Sequence, residues 1–350
     1  MRTLLRPEIE RISEYTLKER PCRIKLNQNE NPFELPAGIK EEVLRRVAAQ
    51  RWSRYPAFIP GAQIEQVARF TGWKADGVLL GNGSNDLLQV LFTCAVCPGR
   101  GVVLSQPTFT LYRLLAETLG AEVTDVPMTG SFAFDVEGII AAARRAAMVV
   151  LCSPNNPTGS QLLPADIERI LASTEGLVVV DEAYVHFAGS TVVPLLEKHE
   201  RLVVLQTFSK AMGAAGLRFG YALMSPSLAR HVAKAKLPYA VNIFTLTAAE
   251  VFMEKWESLK SWIGVILDER EKLFRALAGL EGVRVHPSHA NFLLFETLRR
   301  SPSDVFTALL GKGILIRDVS RYPMLARGLR VSVGTPEENS EFLDALREAV

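Results

Sequence analysis

The sequence has few cysteines, no long apolar run and almost no net charge. Four cysteines in 350 residues are too few for a disulfide scaffold. The longest purely apolar run, Ala146–Cys152, has seven residues, whereas a membrane-spanning helix needs about 20. The N-terminus carries charges throughout and lacks the apolar middle of a signal peptide. We therefore expect a cytoplasmic protein. Because the net charge is only +2, we also expect that it binds neither nucleic acid nor membranes.

Two of the cysteines form a C-x-x-C pair, Cys94 and Cys97, a spacing that occurs in redox and zinc sites. No second cysteine pair and no histidine pair with zinc spacing follows it. The pair lies in a segment that is typical of a buried helix ending at Pro98 and Gly99. We therefore predict that both cysteines are small core residues, and we expect no metal site in the chain.

Short apolar runs alternate with helical patterns between about residues 77 and 225. The runs are nearly continuous in hydrophobicity, which is typical of strands buried on both faces of a parallel sheet. The predicted strands are Val78–Leu80, Val102–Ser105, Met148–Cys152, Leu177–Val180 and Leu202–Gln206. The predicted helices between them are Asn85–Val96, Leu111–Leu119, Val136–Ala143 and Ala165–Ser173. This alternation predicts an α/β fold with helices on both faces of the sheet.

A further strand, Arg218–Met224, follows the strand Leu202–Gln206 after a short connection rich in glycine and alanine. That connection, residues 209–217, has nine residues, whereas a parallel crossover needs a dozen or more. We therefore predict that this strand runs antiparallel to its predecessor. Beyond Pro238 the pattern predicts one long amphipathic helix, or two in line, and then a second, smaller α/β unit.

Polar side chains follow three consecutive predicted strands. In strand order they are Asn156; Asp181 and Tyr184; and Thr207, Ser209 and Lys210. The carboxyl ends of parallel strands form the edge at which open α/β sheets bind ligands. Ordinary turns explain one such strand end, but they account poorly for an amine, a carboxylate, a carboxamide and a phenol along one edge.

These groups suit pyridoxal phosphate. The cofactor needs a lysine amine for its aldehyde, a carboxylate at its ring nitrogen, donors to its ring oxygen, and cations with hydroxyls for its phosphate. The candidates, in that order, are Lys210; Asp181; Asn156 with Tyr184; and Arg218 with Ser209 and Thr207.

Ten stretches, in chain order over nearly the whole sequence, resemble motifs of the fold-type-I pyridoxal-phosphate aminotransferases. Within that group they are most similar to the histidinol-phosphate aminotransferases. The stretches are LNQNENPF (26–33), RYP (54–56), QPTFTLY (106–112), SPNNPTG (153–159), DEAYVHF (181–187), TFSKAMGAAGLRFGY (207–221), LPYAVN (237–242), ANFLLFE (290–296), GILIRD (313–318) and LRVSVG (329–334). The chain departs from the pattern at Glu34, where a glycine is common, and this residue lies in the loop expected to cover the substrate.

The resemblance implies a large cofactor-binding domain with a mostly parallel central sheet and one antiparallel strand. It also implies a smaller α/β domain built from the N- and C-terminal segments. The expected limits are 1–45 for the N-terminal segment that packs with the small domain, 46–245 for the large domain and 246–350 for the small domain. Because Tyr55 would reach the cofactor phosphate of a partner subunit, the resemblance further implies a homodimer.

Carried over residue by residue, the resemblance makes Lys210 the covalent anchor of pyridoxal phosphate, with Asp181 and Tyr184 as the other catalytic residues. Phe109 would stack on the cofactor ring, where family members often carry tyrosine. The implied cofactor-binding residues are Ser84, Asn85, Phe109, Asn156, Asp181, Tyr184, Thr207, Ser209, Lys210, Arg218 and Tyr55. The implied substrate-binding residues are Arg330 and Arg317 as an anion clamp, with Tyr15, Asn29 and Tyr239.

The activity implied by the resemblance is transamination between L-histidinol phosphate and 2-oxoglutarate in two half-reactions, a step of histidine biosynthesis. The products would be imidazole acetol phosphate and L-glutamate. Two alternatives share the motifs: an aromatic-amino-acid aminotransferase and a pyridoxal-phosphate threonine-phosphate decarboxylase of cobalamin synthesis. A pyridoxal-phosphate regulator or an inactive binding module is a further alternative, but the motifs leave no room for the DNA-binding domain expected of a regulator.

Overall fold

The computed structural model describes residues 4–13 and 19–350, in which helices and strands alternate. The strands are β1 (Ile24–Lys25), β2 (Val78–Asn82), β3 (Gly101–Gln106), β4 (Glu122–Pro127), β5 (Met148–Cys152), β6 (Leu177–Asp181), β7 (Leu202–Thr207), β8 (Phe219–Met224), β9 (Val283–Val285), β10 (Phe292–Thr297), β11 (Ile314–Leu315), β12 (Arg317–Asp318) and β13 (Gly328–Ser332). The α-helices are α1 (Pro7–Arg11), α2 (Ala37–Ala48), α3 (Gly61–Thr71), α4 (Ser84–Ala95), α5 (Leu111–Thr118), α6 (Val136–Ala143), α7 (Pro164–Ala172), α8 (Pro226–Val232), α9 (Ile243–Glu254), α10 (Trp256–Leu259), α11 (Ser261–Ala278), α12 (Pro302–Gly311) and α13 (Pro336–Ala349).

A seven-stranded sheet with the order β2-β8-β7-β6-β5-β3-β4 forms the largest layer among the described residues. Its inner strands β8, β7, β6, β5 and β3 are buried on both faces, as continuous apolar sequences predict. In β5, Val149 and Leu151 pack in the apolar cluster on one face, while Met148 and Val150 pack in the cluster on the other. Four neighbouring pairs in this sheet, β3–β4, β3–β5, β5–β6 and β6–β7, are parallel. They confirm the prediction of a mostly parallel sheet.

Strand β8 is the antiparallel member of this sheet. It pairs antiparallel with β7 on one side and with β2 on the other, which confirms the orientation predicted from the short connection that precedes it. Gly220 of β8 lies against the loop between β2 and α4, where an added Cβ would be 2.3 Å from the backbone nitrogen of Ser84. This close approach holds the start of α4 at the edge of the sheet where β7 ends.

Two features of the sheet region differ from the sequence predictions. Strand β4 was not predicted, because as an edge strand it presents charged and exposed residues instead of a continuous apolar run. The prediction that Cys94 and Cys97 are core residues is wrong, since both are exposed. Helix α4 buries Leu87, Leu88 and Leu91, but Cys94 is exposed in its last turn and Cys97 lies beyond its end.

A second, smaller set of strands completes the fold. Strands β12-β13-β10-β9 form an antiparallel sheet, and β1 pairs in parallel with β11, which brings residues 24–25 next to the C-terminal part of the chain. The last helix, α13, begins with a capping box, in which Thr335 and Glu338 bond each other's backbone N–H groups. The predicted domain limits stay a prediction. Within the described residues, no helix is both long and apolar enough to cross a membrane.

We expect Gly220→Ala to destabilise the protein by roughly 1–3 kcal/mol, because its methyl group would meet backbone atoms of Gly83 and Ser84 that cannot move independently. Chemical unfolding of the cofactor-free protein measures the change. Gly264→Ala is the matched control, since this glycine lies in α11 with open space around it, and should stabilise the protein by about 0.5–1 kcal/mol. Equal stabilities for the two variants would contradict the close packing of β8 on the loop.

Candidate active site

A cavity of about 410 Å³ lies at the carboxyl ends of β5, β6 and β7. These strands run in parallel, so the polar residues that follow them meet at one edge of the sheet. The predicted site residues that line the cavity are Asn29, Ser84, Asn85, Phe109, Asn156, Asp181, Tyr184, Thr207, Ser209, Lys210, Arg218, Arg317 and Arg330. The structure thus brings together most of the residues that the sequence singled out.

Lys210 enters the cavity from the turn that follows β7. Its Nζ donates a hydrogen bond of 2.9 Å to the carbonyl oxygen of Gln28 and lies 5.8 Å from the ring centroid of Tyr184. Burial, reinforced by the positive charges of Arg330 and Arg218, lowers the pKa of Lys210 to about 8. The neutral form, which a nucleophile requires, is therefore far more populated near physiological pH than in an ordinary lysine.

Asp181 lies at the end of β6 and is almost fully buried. One of its oxygens, Oδ2, accepts a hydrogen bond of 2.8 Å from the hydroxyl of Tyr112, and the other, Oδ1, accepts one of 3.1 Å from the backbone N–H of Ala183. Burial raises the pKa of Asp181, while both hydrogen bonds and the charge of Lys210 act in the opposite direction. The carboxylate is thus held in one orientation at the floor of the cavity.

Tyr184 and Asn156 lie on another wall of the cavity, and each has a partner from a distant part of the chain. The Tyr184 hydroxyl accepts a hydrogen bond of 2.9 Å from Nδ2 of Asn29, and Asn156 Oδ1 accepts one from Nη1 of Arg330. Asn29 has a φ of +55°, a conformation that asparagine tolerates better than most residues. Its backbone N–H donates to Ser332 Oγ at 2.8 Å. These bonds fix the loop around Asn29 over the cavity.

The end of the cavity nearest α4 gathers hydroxyl groups and one guanidinium. Nη1 of Arg218 donates to Ser209 Oγ at 3.1 Å, and Thr207 Oγ1 lies 2.9 Å from the same oxygen. Gly83 has a φ of +78°, a conformation that favours glycine, and a Cβ there would lie 2.3 Å from Nη2 of Arg218, so a larger residue would push this guanidinium aside. Ser84 follows as the first residue of α4, whose free N–H groups favour an anion.

Two arginines of the small antiparallel sheet form a further part of the cavity wall. Arg317 of β12 and Arg330 of β13 are directly opposite each other in the register of the two strands, so their side chains share a face. Arg330 is buried and donates through Nη2 to the carbonyl oxygen of Asn27 at 2.6 Å. Like charges in this arrangement repel each other, and a bound anion would relieve that repulsion.

Three predicted site residues are not among the described residues that line the cavity. Tyr55 and Tyr239 lie elsewhere on the surface, where their rings stack with centroids 4.6 Å apart. Tyr55 is 81% exposed. Tyr15 lies outside the described residues. Their predicted roles stay predictions.

Sequence reasoning missed Tyr112, Cys152, Gln28, Glu30 and Tyr322, which also line the cavity. A signal existed for Tyr112, because it follows Phe109 by three residues at the start of α5, a spacing that places two side chains on one side of a helical turn. The two rings meet edge to face with centroids 5.5 Å apart. No comparable local pattern marks Gln28, whose contribution is a backbone carbonyl.

The donor set of the cavity fits pyridoxal phosphate. A partly buried amine, a buried carboxylate and a phenol–amide pair surround one region, and hydroxyls with a guanidinium and a helix N-terminus surround another. The glycine that makes room for Arg218 suits the close approach of a phosphate to backbone. The residues that would hold the cofactor are therefore all available in one cavity.

Comparison with known proteins agrees with this chemistry. The aminotransferase class I and II family matches residues 23–346. A histidinol-phosphate aminotransferase from Chlorobium phaeovibrioides is 40% identical over 98% of this chain and 96% of that protein, and one from Chlorobaculum parvum is 38% identical over 99% and 98%. The solved structure of histidinol-phosphate aminotransferase from Sinorhizobium meliloti in complex with pyridoxal-5'-phosphate has a TM-score of 0.89 and 25% identity, covering 99% of this chain and 97% of that one. The chain belongs to the class I and II aminotransferase family.

Proposed function

We propose that this aminotransferase transfers the amino group of L-histidinol phosphate to 2-oxoglutarate, giving imidazole acetol phosphate and L-glutamate. The observation that carries the proposal is the pair of arginines, Arg317 and Arg330, opposite each other on β12 and β13 at the cavity wall. Guanidinium groups bind phosphate and carboxylate through paired hydrogen bonds, and the two substrates carry these groups. The names of the curated relatives support the same choice of substrate.

The cofactor of the family is pyridoxal phosphate, which when bound supplies an aldehyde for the substrate amine and a ring that withdraws electrons from the substrate carbon. Asp181 would hold the N–H of the ring nitrogen, and Asn156 with Tyr184 would orient the ring through its oxygen. Arg218, Ser209 and Thr207 would bind the phosphate.

Lys210 would carry out the proton transfer. Its Nζ is the amine that lines the cavity beside Asp181 and Tyr184, and its lowered pKa favours the neutral form that accepts a proton from the substrate Cα. The loop around Gln28 and Asn29, bonded to Lys210 and Tyr184, would exclude water from this region. Arg330 would link the substrate to the ring because it also donates to Asn156.

We also infer a homodimer, from an apolar surface patch. Trp52, Tyr55, Phe58, Ile59 and Leu237 are each more than 60% exposed, and the rings of Tyr55 and Phe58 contact Tyr239. Large exposed apolar patches are typical of protein–protein interfaces. The patch also contains Tyr55, the residue predicted to reach a partner's cofactor, so a second copy of this chain is the occupant that fits it.

Donor specificity tests the proposed substrate. With 2-oxoglutarate as acceptor, kcat/KM for L-histidinol phosphate should exceed that for L-phenylalanine by at least about 100-fold, because each charge-assisted bond to phosphate contributes roughly ten- to 100-fold. Arg317→Leu should reduce this preference strongly. Arg321→Leu, which removes an exposed arginine of the same segment, should not. A wide preference for phenylalanine would contradict the proposal.

The pH dependence of cofactor capture tests the state of Lys210. Only the neutral amine attacks the aldehyde, so the rate at which cofactor-free protein binds pyridoxal phosphate should rise with pH and reach half its maximum near pH 8. Arg330→Gln should move this midpoint upward, because it removes a nearby positive charge. The rate for a free lysine derivative under the same conditions corrects for ionisation of the cofactor. A midpoint near the ordinary lysine pKa of 10.5 would show that the amine is not perturbed.

Sedimentation equilibrium tests the dimer. The protein should have twice the 38.6 kDa mass of the chain, and Phe58→Asp should shift it toward the monomer by placing a charge in the apolar patch. Leu163→Asp changes an exposed leucine outside the patch and should leave the dimer intact. A monomeric wild-type protein, or a Phe58→Asp variant that remains dimeric, would rule out this interface.

A further inference from the structure

Tyr112 is fully buried beneath the cavity, and its hydroxyl has a defined polar partner. The phenol oxygen lies 2.8 Å from Oδ2 of Asp181. A hydroxyl buried in apolar surroundings is unfavourable unless it forms a hydrogen bond. The rest of the Tyr112 side chain packs among Leu88, Leu104 and other apolar residues, where phenylalanine would pack equally well. The hydroxyl is therefore explained by its bond to Asp181 and not by packing.

The direction of this hydrogen bond follows from the surrounding groups. An ionised carboxylate only accepts hydrogen bonds, so the single hydroxyl proton of Tyr112 must lie on the side of Asp181. The other polar neighbour is Cys152, whose strand β5 pairs with β6 so that Cys152 and Asp181 are adjacent. The thiol proton of Cys152 is directed elsewhere, to the carbonyl oxygen of Pro154 at 3.3 Å. These hydrogen bonds are the ones that an ionised Asp181 requires.

We propose that Tyr112 is a positioning residue that keeps Asp181 ionised and aimed at the ring nitrogen of the cofactor. This inference rests on the proposed role of Asp181. The proton shared by Asp181 and the ring nitrogen resides on the group that has the higher proton affinity. By donating to Oδ2, Tyr112 stabilises the carboxylate and lowers its affinity for that proton, so the nitrogen keeps it.

The hydrogen bond from Tyr112 matters because Asp181 is buried. Loss of water raises the pKa of Asp181, and the bonds from Tyr112 and from the Ala183 N–H are the hydrogen bonds that oppose this effect. The Ala183 bond comes from backbone and is present whatever the side chains are. Tyr112 is therefore the side chain that influences the protonation of the ring nitrogen through a hydrogen bond to Asp181.

The test uses holoenzyme loaded with pyridoxal phosphate labelled with ¹⁵N in the ring. In the wild-type protein, the ring nitrogen should resonate at the position of a protonated pyridine. In Tyr112→Phe, the resonance should move toward the unprotonated position, and the dissociation constant of the cofactor should rise about tenfold, as expected for loss of one hydrogen bond to a charged group. An unchanged resonance in Tyr112→Phe, with the Asp181→Asn resonance shifted, would overturn the role of Tyr112 alone.

Two further variants separate this role from simple packing. Tyr221→Phe removes another fully buried hydroxyl, which donates to Gln206 at 2.7 Å, and should lower thermal stability without moving the nitrogen resonance. Replacement of Tyr112 by 3-fluorotyrosine keeps the ring and makes the phenol a stronger donor, so the cofactor should bind at least as tightly as in the wild type. Weaker cofactor binding in this variant would contradict the inference. This test remains available even if the Tyr112→Phe variant does not fold.

Asp181→Asn distinguishes failure of the inference from failure of the proposed function. If Asp181 holds the ring nitrogen, this variant should show the unprotonated resonance, because an amide cannot stabilise the positive charge. If the resonance of Asp181→Asn equals that of the wild type, the proposed role of Asp181 is wrong, and the inference about Tyr112 is wrong with it.

Discussion

A lysine amine loses hydration when it enters a cavity, and the active site of this aminotransferase depends on how that loss is balanced. For Lys210, burial and the charges of Arg330 and Arg218 disfavour the protonated form, while one carbonyl oxygen, that of Gln28, accepts a hydrogen bond from Nζ. The same cations that lower the pKa of the amine are placed to bind anions. One set of charges therefore activates the nucleophile and attracts the phosphate and carboxylate groups of its ligands.

The topology of the large sheet explains why these groups meet. Parallel strands β5, β6 and β7 end at one edge, and each continues into a residue of the cavity. The antiparallel strand β8 then begins at that same edge, so Arg218, immediately before it, returns to the position where Ser209 has just left β7. An additional parallel strand would have started at the opposite edge. The single reversal in strand direction thus places the arginine beside the lysine.

The sequence predicted the features that depend on local pattern. Continuous apolar runs identified the buried strands, and the short connection before Arg218 predicted the reversal of β8. Local pattern failed where exposure depends on neighbours: β4 is an edge strand with charged residues, and Cys94 is exposed in the last turn of a helix whose preceding turns are mostly buried. The contacts of Asn29 with Tyr184 and of Tyr112 with Asp181 join residues 155 and 69 positions apart. Such pairs are determined by tertiary packing, so a single sequence does not reveal them.

The central claim is that the nitrogen of Lys210 forms the covalent bond to the cofactor. Reduction of the holoenzyme with borohydride makes a lysine–cofactor bond permanent, and peptide mass mapping then locates it. The account predicts one modified lysine, Lys210, with the added mass of the reduced cofactor. Modification of a different lysine, or a protein that binds the cofactor without any modified lysine, would contradict it.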